Sequence, residues 1–119
     1  MGMDITTYVI AGYDLTNYKT DKYKDWFWTD EGEYYTCNQT KGNIQLFDDP
    51  MNGNYLYLGY IFAKIEDWDG FDTEMIDPER FSDVMPDVIH NLIDLESKGI
   101  ISEIPRLLNY RVIVFDEWS

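Results

Sequence analysis

Ile44-Gln45-Leu46-Phe47 and Tyr55-Leu56-Tyr57-Leu58-Gly59-Tyr60-Ile61-Phe62-Ala63-Lys64-Ile65 flank the stretch Asp48-Asp49-Pro50-Met51-Asn52-Gly53-Asn54. Proline and an Asn-Gly pair are turn chemistry, because Asn and Gly tolerate positive φ. The two β-rich arms are therefore read as an antiparallel hairpin. In the second arm Tyr55, Tyr57, Gly59, Ile61 and Ala63 alternate with Leu56, Leu58, Tyr60, Phe62 and Lys64. Both sets are rich in apolar groups, so the arm is expected to be a central strand covered on part of each side.

Outward from the hairpin, Thr6–Tyr13 (TTYVIAGY) reads as a strand that Gly12 ends, and Tyr110–Phe115 (YRVIVF) as another. Asp21 opens a short helix through Trp28, with Tyr23, Trp26 and Phe27 turned inward. Thr29–Gly32 reads as a turn, and Glu33–Thr40 and Gly42–Phe47 as two strands. Asp77-Pro78 opens a helix, with the carboxylate as cap and the ring at the first helical position. Pro86 opens a second helix, in which Val88, Ile89, Leu92 and Leu95 follow helical spacing before Lys98-Gly99 closes it. Antiparallel strands with helices set to one side predict one α+β domain over residues 1–119, with about 4–5 strands around the central hairpin. The sheet is expected to be packed by the short helix of the first half and by the Pro86 helix of the second.

Composition narrows the function classes. The 23 Asp and Glu against 9 Lys and Arg give a net charge of −14. Aromatic residues at 17% argue against disorder despite that charge. The charge is uneven. Residues 1–65 carry nine acids and five bases, net −4, and residues 66–119 carry fourteen and four, net −10. Phosphate contacts need a basic surface, so direct nucleic-acid binding is not expected. An anionic membrane would repel the chain, and no run of 18 apolar residues is present. The N-terminus lacks the basic and apolar regions of a secretion signal. Cys37 is the only cysteine and is read as a small buried hydrophobe. A cytoplasmic location fits a chain without a disulfide.

No catalytic motif is present, and a non-catalytic role is expected with no metal or cofactor. Asp67, Asp69, Asp72, Glu74 and Asp77 could donate oxygens to calcium, but the EF-hand pattern fails. Gly70 stands at the fourth position and Pro78 at the twelfth. A lone histidine, His90, and a lone cysteine make no ordinary zinc site. What remains is the acidic field. Asp67, Asp69, Asp72, Glu74, Asp77, Asp83 and Asp87 form a candidate partner-binding set, with Trp68 and Phe71 as interface anchors. Duplex DNA presents a negative charge about every 1.7 Å of its axis, and a stripe of carboxylates is a sparser imitation of it. The expected partner is a basic protein, a nucleic-acid-acting enzyme.

In size, charge and lack of a catalytic signature the chain resembles the small acidic inhibitors of phages and mobile elements. These include anti-restriction and anti-CRISPR proteins, uracil-DNA glycosylase inhibitors and nuclease immunity proteins. The resemblance rests on bulk properties and transfers no functional position and no fold. It implies inhibition by occlusion of a basic surface. The alternative expectation is a small-ligand-binding or signal-sequestering domain whose aromatic pocket draws on Tyr13, Trp26, Trp28 and Tyr60. A homodimer through the apolar hairpin arm is a further expectation.

Overall fold

β-branched and aromatic side chains hold Ile5–Asp14 extended as strand β1, and two antiparallel partners flank it. The computed structural model describes residues 5–37, 43–49, 53–66 and 73–118. Along the chain follow helices α1 (Tyr23–Phe27) and α2 (Asp30–Cys37), strands β2 (Ile44–Asp48) and β3 (Leu56–Glu66), helices α3 (Pro78–Asp83) and α4 (Met85–Ser97), and strand β4 (Arg111–Trp118). The sheet order is β2-β3-β1-β4, antiparallel throughout. The α+β architecture and the β2–β3 hairpin are as the sequence implies. Gly53 takes the positive φ that the turn requires, at 66°.

One sheet face is roofed by helices. Tyr13, Ile44, Leu46, Leu56 and Leu58 from the strands meet Tyr23, Trp26, Tyr35, Val88, Leu92 and Leu95 from the helices. Leu92 and Leu95 are fully buried, and each such side chain contributes about 1.5–3 kcal/mol. The opposite face carries Tyr8, Ile10, Phe47 and Ile113, with Tyr55, Tyr57, Ile61 and Phe115 packed around them. This second cluster contains no helical residue among those described.

The centre of the sheet is a glycine pair. Gly12 faces Gly59 across β1 and β3. A Cβ on Gly12 would lie 1.8 Å from the Leu58 carbonyl oxygen, and one on Gly59 would lie 2.8 Å from that of Ala11. The strand continues to Asp14, so Gly12 does not end it as the sequence suggests. Its role is the close backbone approach that glycine marks inside strands. Three residues beyond Gly59, β3 bulges. Val9 pairs with Ala63 but Ile10 with Ile61, which leaves Phe62 as the extra residue. The bulge inverts the alternation, so Ala63 faces the side opposite Ile61 instead of sharing its face. Lys64 then stands beside Tyr8 on the second face.

The strand expected from Glu33 is instead helical as far as Cys37, and its remainder at 38–40 lies outside the described residues, as do Lys41 and Gly42. Local capping explains the correction. The Gly32 N–H donates to the Thr29 hydroxyl and the Glu33 N–H to the Thr29 carbonyl. Asp30, Glu31 and Glu33 lie in the first turn, where the helix dipole favours negative charge. These terms outweigh the strand preference of Tyr34, Tyr35 and Thr36. Gly32 also lets α2 close on α1, since a Cβ there would sit 2.3 Å from the Trp26 carbonyl oxygen. Helix α1 begins at Tyr23 after a Lys22 cap, so Asp21 does not serve as its cap.

A charged network ties α1 and α2 to α4. Lys98 Nζ lies 2.8 Å from Glu31 and 3.0 Å from Asp94. Trp26 Nε1 donates to Glu31 at 2.8 Å, and the Tyr35 hydroxyl donates to Asp94. Bonds from Lys98 and Trp26 hold the Glu31 carboxyl below its ordinary pKa. Burial pushes the Asp94 carboxyl up, but Tyr35 and Lys98 outweigh it and hold it below the usual range.

Two predictions follow from this packing. Gly12→Ala loses about 3 kcal/mol or more, read as a fall in the urea midpoint, because backbone on both strands would have to move. Lys98→Met loses about 1 kcal/mol near neutral pH, since solvent screens these half-exposed groups and leaves two carboxylates facing each other. Both carboxyls have depressed folded pKa values, so the stability they contribute is present above the unfolded value near 4 and lost as pH falls through the folded values. The gap between wild type and Lys98→Met therefore closes on acidification.

Candidate functional site

Two surfaces carry chemistry. The first is the acidic segment before and within the paired helices. Glu74 lies in a 3-10 turn at Thr73–Met75, and it is exposed. Asp77 caps α3 by accepting from the Glu79 N–H at 2.9 Å, with Pro78 at the first helical position. Asp83 ends α3 and Asp87 sits in the first turn of α4. Between them Val84 keeps helical backbone, φ −86° and ψ −11°. Glu79 and Asp83 are therefore neighbours at four-residue spacing on α3, and Asp87 follows in the first turn of α4. All three are exposed, and Arg80 is the one cation in residues 74–87. Asp67, Trp68, Asp69, Phe71 and Asp72 lie outside the described residues. Further along α4, Asp94 is bound into the Lys98 network and faces the interior contacts of α2.

The second surface is an open cleft of about 300 Å³ lined by Lys19, Tyr23, Lys24, Phe27, Trp28 and Asp48. Backbone pairing fixes its upstream wall. Lys19 bridges to Ile101, the Thr20 N–H donates to the Ile100 carbonyl at 3.1 Å, and the Ser102 N–H donates to Tyr18 at 2.8 Å. The Tyr23 N–H then donates to the Thr20 carbonyl at 3.1 Å, which starts α1 against this clamp. Phe27 stands 6.0 Å from the Tyr23 ring, and Trp28 meets Phe27 edge-on at 5.0 Å. Lys19 Nζ lies 5.6 Å from the Tyr23 ring centre and 3.5 Å from the Gly53 carbonyl oxygen. Asp48 enters from the end of β2.

The polar groups of the cleft are poorly satisfied. The Tyr23 hydroxyl and Asp48 Oδ1 are buried atoms without a hydrogen bond of ordinary geometry, although they lie near one another. Burial pushes the Asp48 carboxyl above its usual pKa, with Lys19 pulling it partly back. Burial, and then the neighbouring Asp48 charge, raises Tyr23. Among the described residues Asp48 is the single carboxylate lining the cleft, and no two-carboxylate hydrolytic pair is assembled from them there. Asp49 beside it serves the turn, accepting from the Asn54 N–H at 3.2 Å. Among the described residues no group of three or more His, Cys, Asp or Glu is placed to hold a metal ion. No helix of the described residues is long and apolar enough to cross a membrane.

Of the four aromatics expected to form a pocket, Trp28 alone lines this cleft, and it is 81% exposed. Tyr13 and Trp26 are sealed in the helix-side core, and Tyr60 packs against that core beside Phe62. Composition could not separate core aromatics from surface ones. A signal for the cleft was nonetheless present: Lys19, Tyr23 and Phe27 recur at four-residue spacing, with Lys24 and Trp28 each one residue further. Asp48 arrives only through the tertiary fold.

Replacing Asp48 by Asn tests this electrostatic description. A raised folded pKa means that ionised Asp48 opposes folding, and the penalty grows as pH rises from the unfolded value of about 3.9 through the folded one. Asp48→Asn should be the more stable protein at neutral pH in urea titrations, with the advantage vanishing below pH of about 4. No family model matches the chain, and no curated protein or solved structure shows a significant match to it.

Proposed function

We propose that this domain is a small, non-catalytic inhibitor of the anti-restriction, anti-CRISPR or nuclease-immunity type, encoded by a phage or mobile element. Its target is a basic protein that acts on nucleic acid, and it occludes the surface on which that protein holds phosphates. The observation that carries the reading is the set of exposed carboxylates Glu79, Asp83 and Asp87 on the successive helices α3 and α4. Glu74 and Asp77 extend it upstream. Self-repulsion of this kind does not stabilise a fold, whereas opposed potentials accelerate association with a basic partner by factors of about 10–10³. Asp67, Asp69 and Asp72 continue the acidic set in sequence, with Trp68 and Phe71 as the apolar anchors of the interface.

Capture followed by competition tests the proposal. The immobilised domain is exposed to bacterial lysate at about 50 mM and about 500 mM salt, and the retained protein is purified. The expected outcome is retention at low salt only, loss of that protein's DNA or RNA binding when the domain is added, and at least about tenfold weaker binding by the double variant Asp83→Lys/Asp87→Lys. Asp77 is left intact because it caps α3. A retained protein that still binds nucleic acid in the presence of the domain, or binding that ignores both salt and the charge reversal, overturns the reading.

A further inference from the structure

The cleft between α1 and the end of β2 is independent of the acidic set and has the parts of a ligand site. Three rings, Tyr23, Phe27 and Trp28, form its apolar walls. Trp28 is 81% exposed at the end of α1, edge-on to Phe27, and so offers an uncovered ring face. An exposed indole of this kind is a stacking platform for any planar ring. Inside the cleft the buried Tyr23 hydroxyl lies beside the Asp48 carboxyl and interacts with it. Asp48, half-buried at the end of β2, is the acceptor that lines the cleft. The carboxylate can only accept, which selects a ligand edge bearing N–H groups.

The cations supply the remaining half of the recognition. The chain has 9 Lys and Arg in all. Lys19 and Lys24 both line this cleft, although the protein as a whole is net −14. Solvent screens the distant carboxylates over a Debye length of about 8 Å, so Lys19 and Lys24, set against Asp48, make the field that a small ligand meets. A volume of about 300 Å³ admits one ring system with a short polar appendage.

We propose that this cleft binds a free mononucleotide, with the base stacked on Trp28 and flanked by Phe27, its N–H edge directed to the Asp48 carboxylate that the Tyr23 hydroxyl positions, and its phosphate met by Lys19 and Lys24. Guanine is the preferred base, because its Watson–Crick edge presents two adjacent N–H donors to a carboxylate, whereas uracil presents one. A nucleic-acid strand offers the same base and phosphate chemistry at its end. The acidic remainder of the surface opposes the further phosphates of a strand, which favours the free nucleotide.

Saturation-transfer NMR and calorimetric titration of the intact chain test this with 5′-GMP, AMP, CMP and UMP, with guanosine, with inorganic phosphate and with a short single-stranded oligonucleotide. The expected result is saturable binding of GMP, weaker binding of UMP and of the oligonucleotide, and none of phosphate alone. Trp28→Ala removes an exposed side chain, leaves the circular dichroism unchanged and weakens GMP by at least about tenfold. Tyr23→Phe keeps the ring in place and weakens GMP several-fold. Lys19→Ala/Lys24→Ala weakens GMP but leaves guanosine unaffected. The proposal is overturned if no mononucleotide saturates at millimolar concentration, if Trp28→Ala or Tyr23→Phe binds as the wild type does, or if the oligonucleotide binds more tightly than GMP. Each of these outcomes leaves the acidic set and its protein target untouched.

Discussion

The contact of Gly12 with Gly59 at the middle of the sheet is the constraint on which the other elements depend. It brings the backbones of β1 and β3 closer than any Cβ allows. Strand β1 carries β4 on its far side, and β3 carries β2. The two apolar clusters take residues from strands on both sides of that contact. The helix roof is then placed by contacts that begin on the strands, with α2 against β2 and α4 against β1 and β3. Loss of the close approach would disturb both faces at once.

The helix roof is held by a different balance of forces. Its apolar content is modest: α2 contributes Tyr35 to the core, and α1 contributes Tyr23 and Trp26. The polar network around Lys98 joins those same helices to α4 and satisfies the indole N–H, one tyrosine hydroxyl and two carboxylates together. Each bond is weak at a half-exposed position. Their joint effect is one of orientation, setting α1 so that Phe27 and Trp28 project at its end while Tyr23 and Trp26 face inward.

Legibility in the sequence followed the range of the forces involved. The Asp77-Pro78 start, the apolar spacing of Val88, Leu92 and Leu95, and the Gly53 turn are local, and each was readable. The helix at Asp30–Cys37 was misread because Tyr34, Tyr35 and Thr36 favour strands, while the decisive cap at Thr29 looked like a turn. Gly12 was noticed, but its meaning lies in Leu58 and Gly59, nearly fifty residues away. The Phe62 bulge left no mark on the alternation that it inverts. Among the site residues, the acids at 74, 77, 83 and 87 were found by charge alone. The cleft was missed apart from Trp28, since ring count does not tell which ring faces water.

The Lys98 network also shapes how this protein can change. With 23 acids against 9 bases, the two signs of charge are not equivalent currencies of substitution. An exposed carboxylate outside the partner-binding set, such as Glu103, can be lost with relief of repulsion. A base is different: Lys98 holds two acids, Lys64 faces Glu66 and Arg111 faces Asp14. Removing any of them uncovers a neighbour of like charge to the rest of the surface. Mutational drift should therefore be lopsided, erasing the acids that have neither a partner nor a structural bond more readily than Lys64, Lys98 and Arg111.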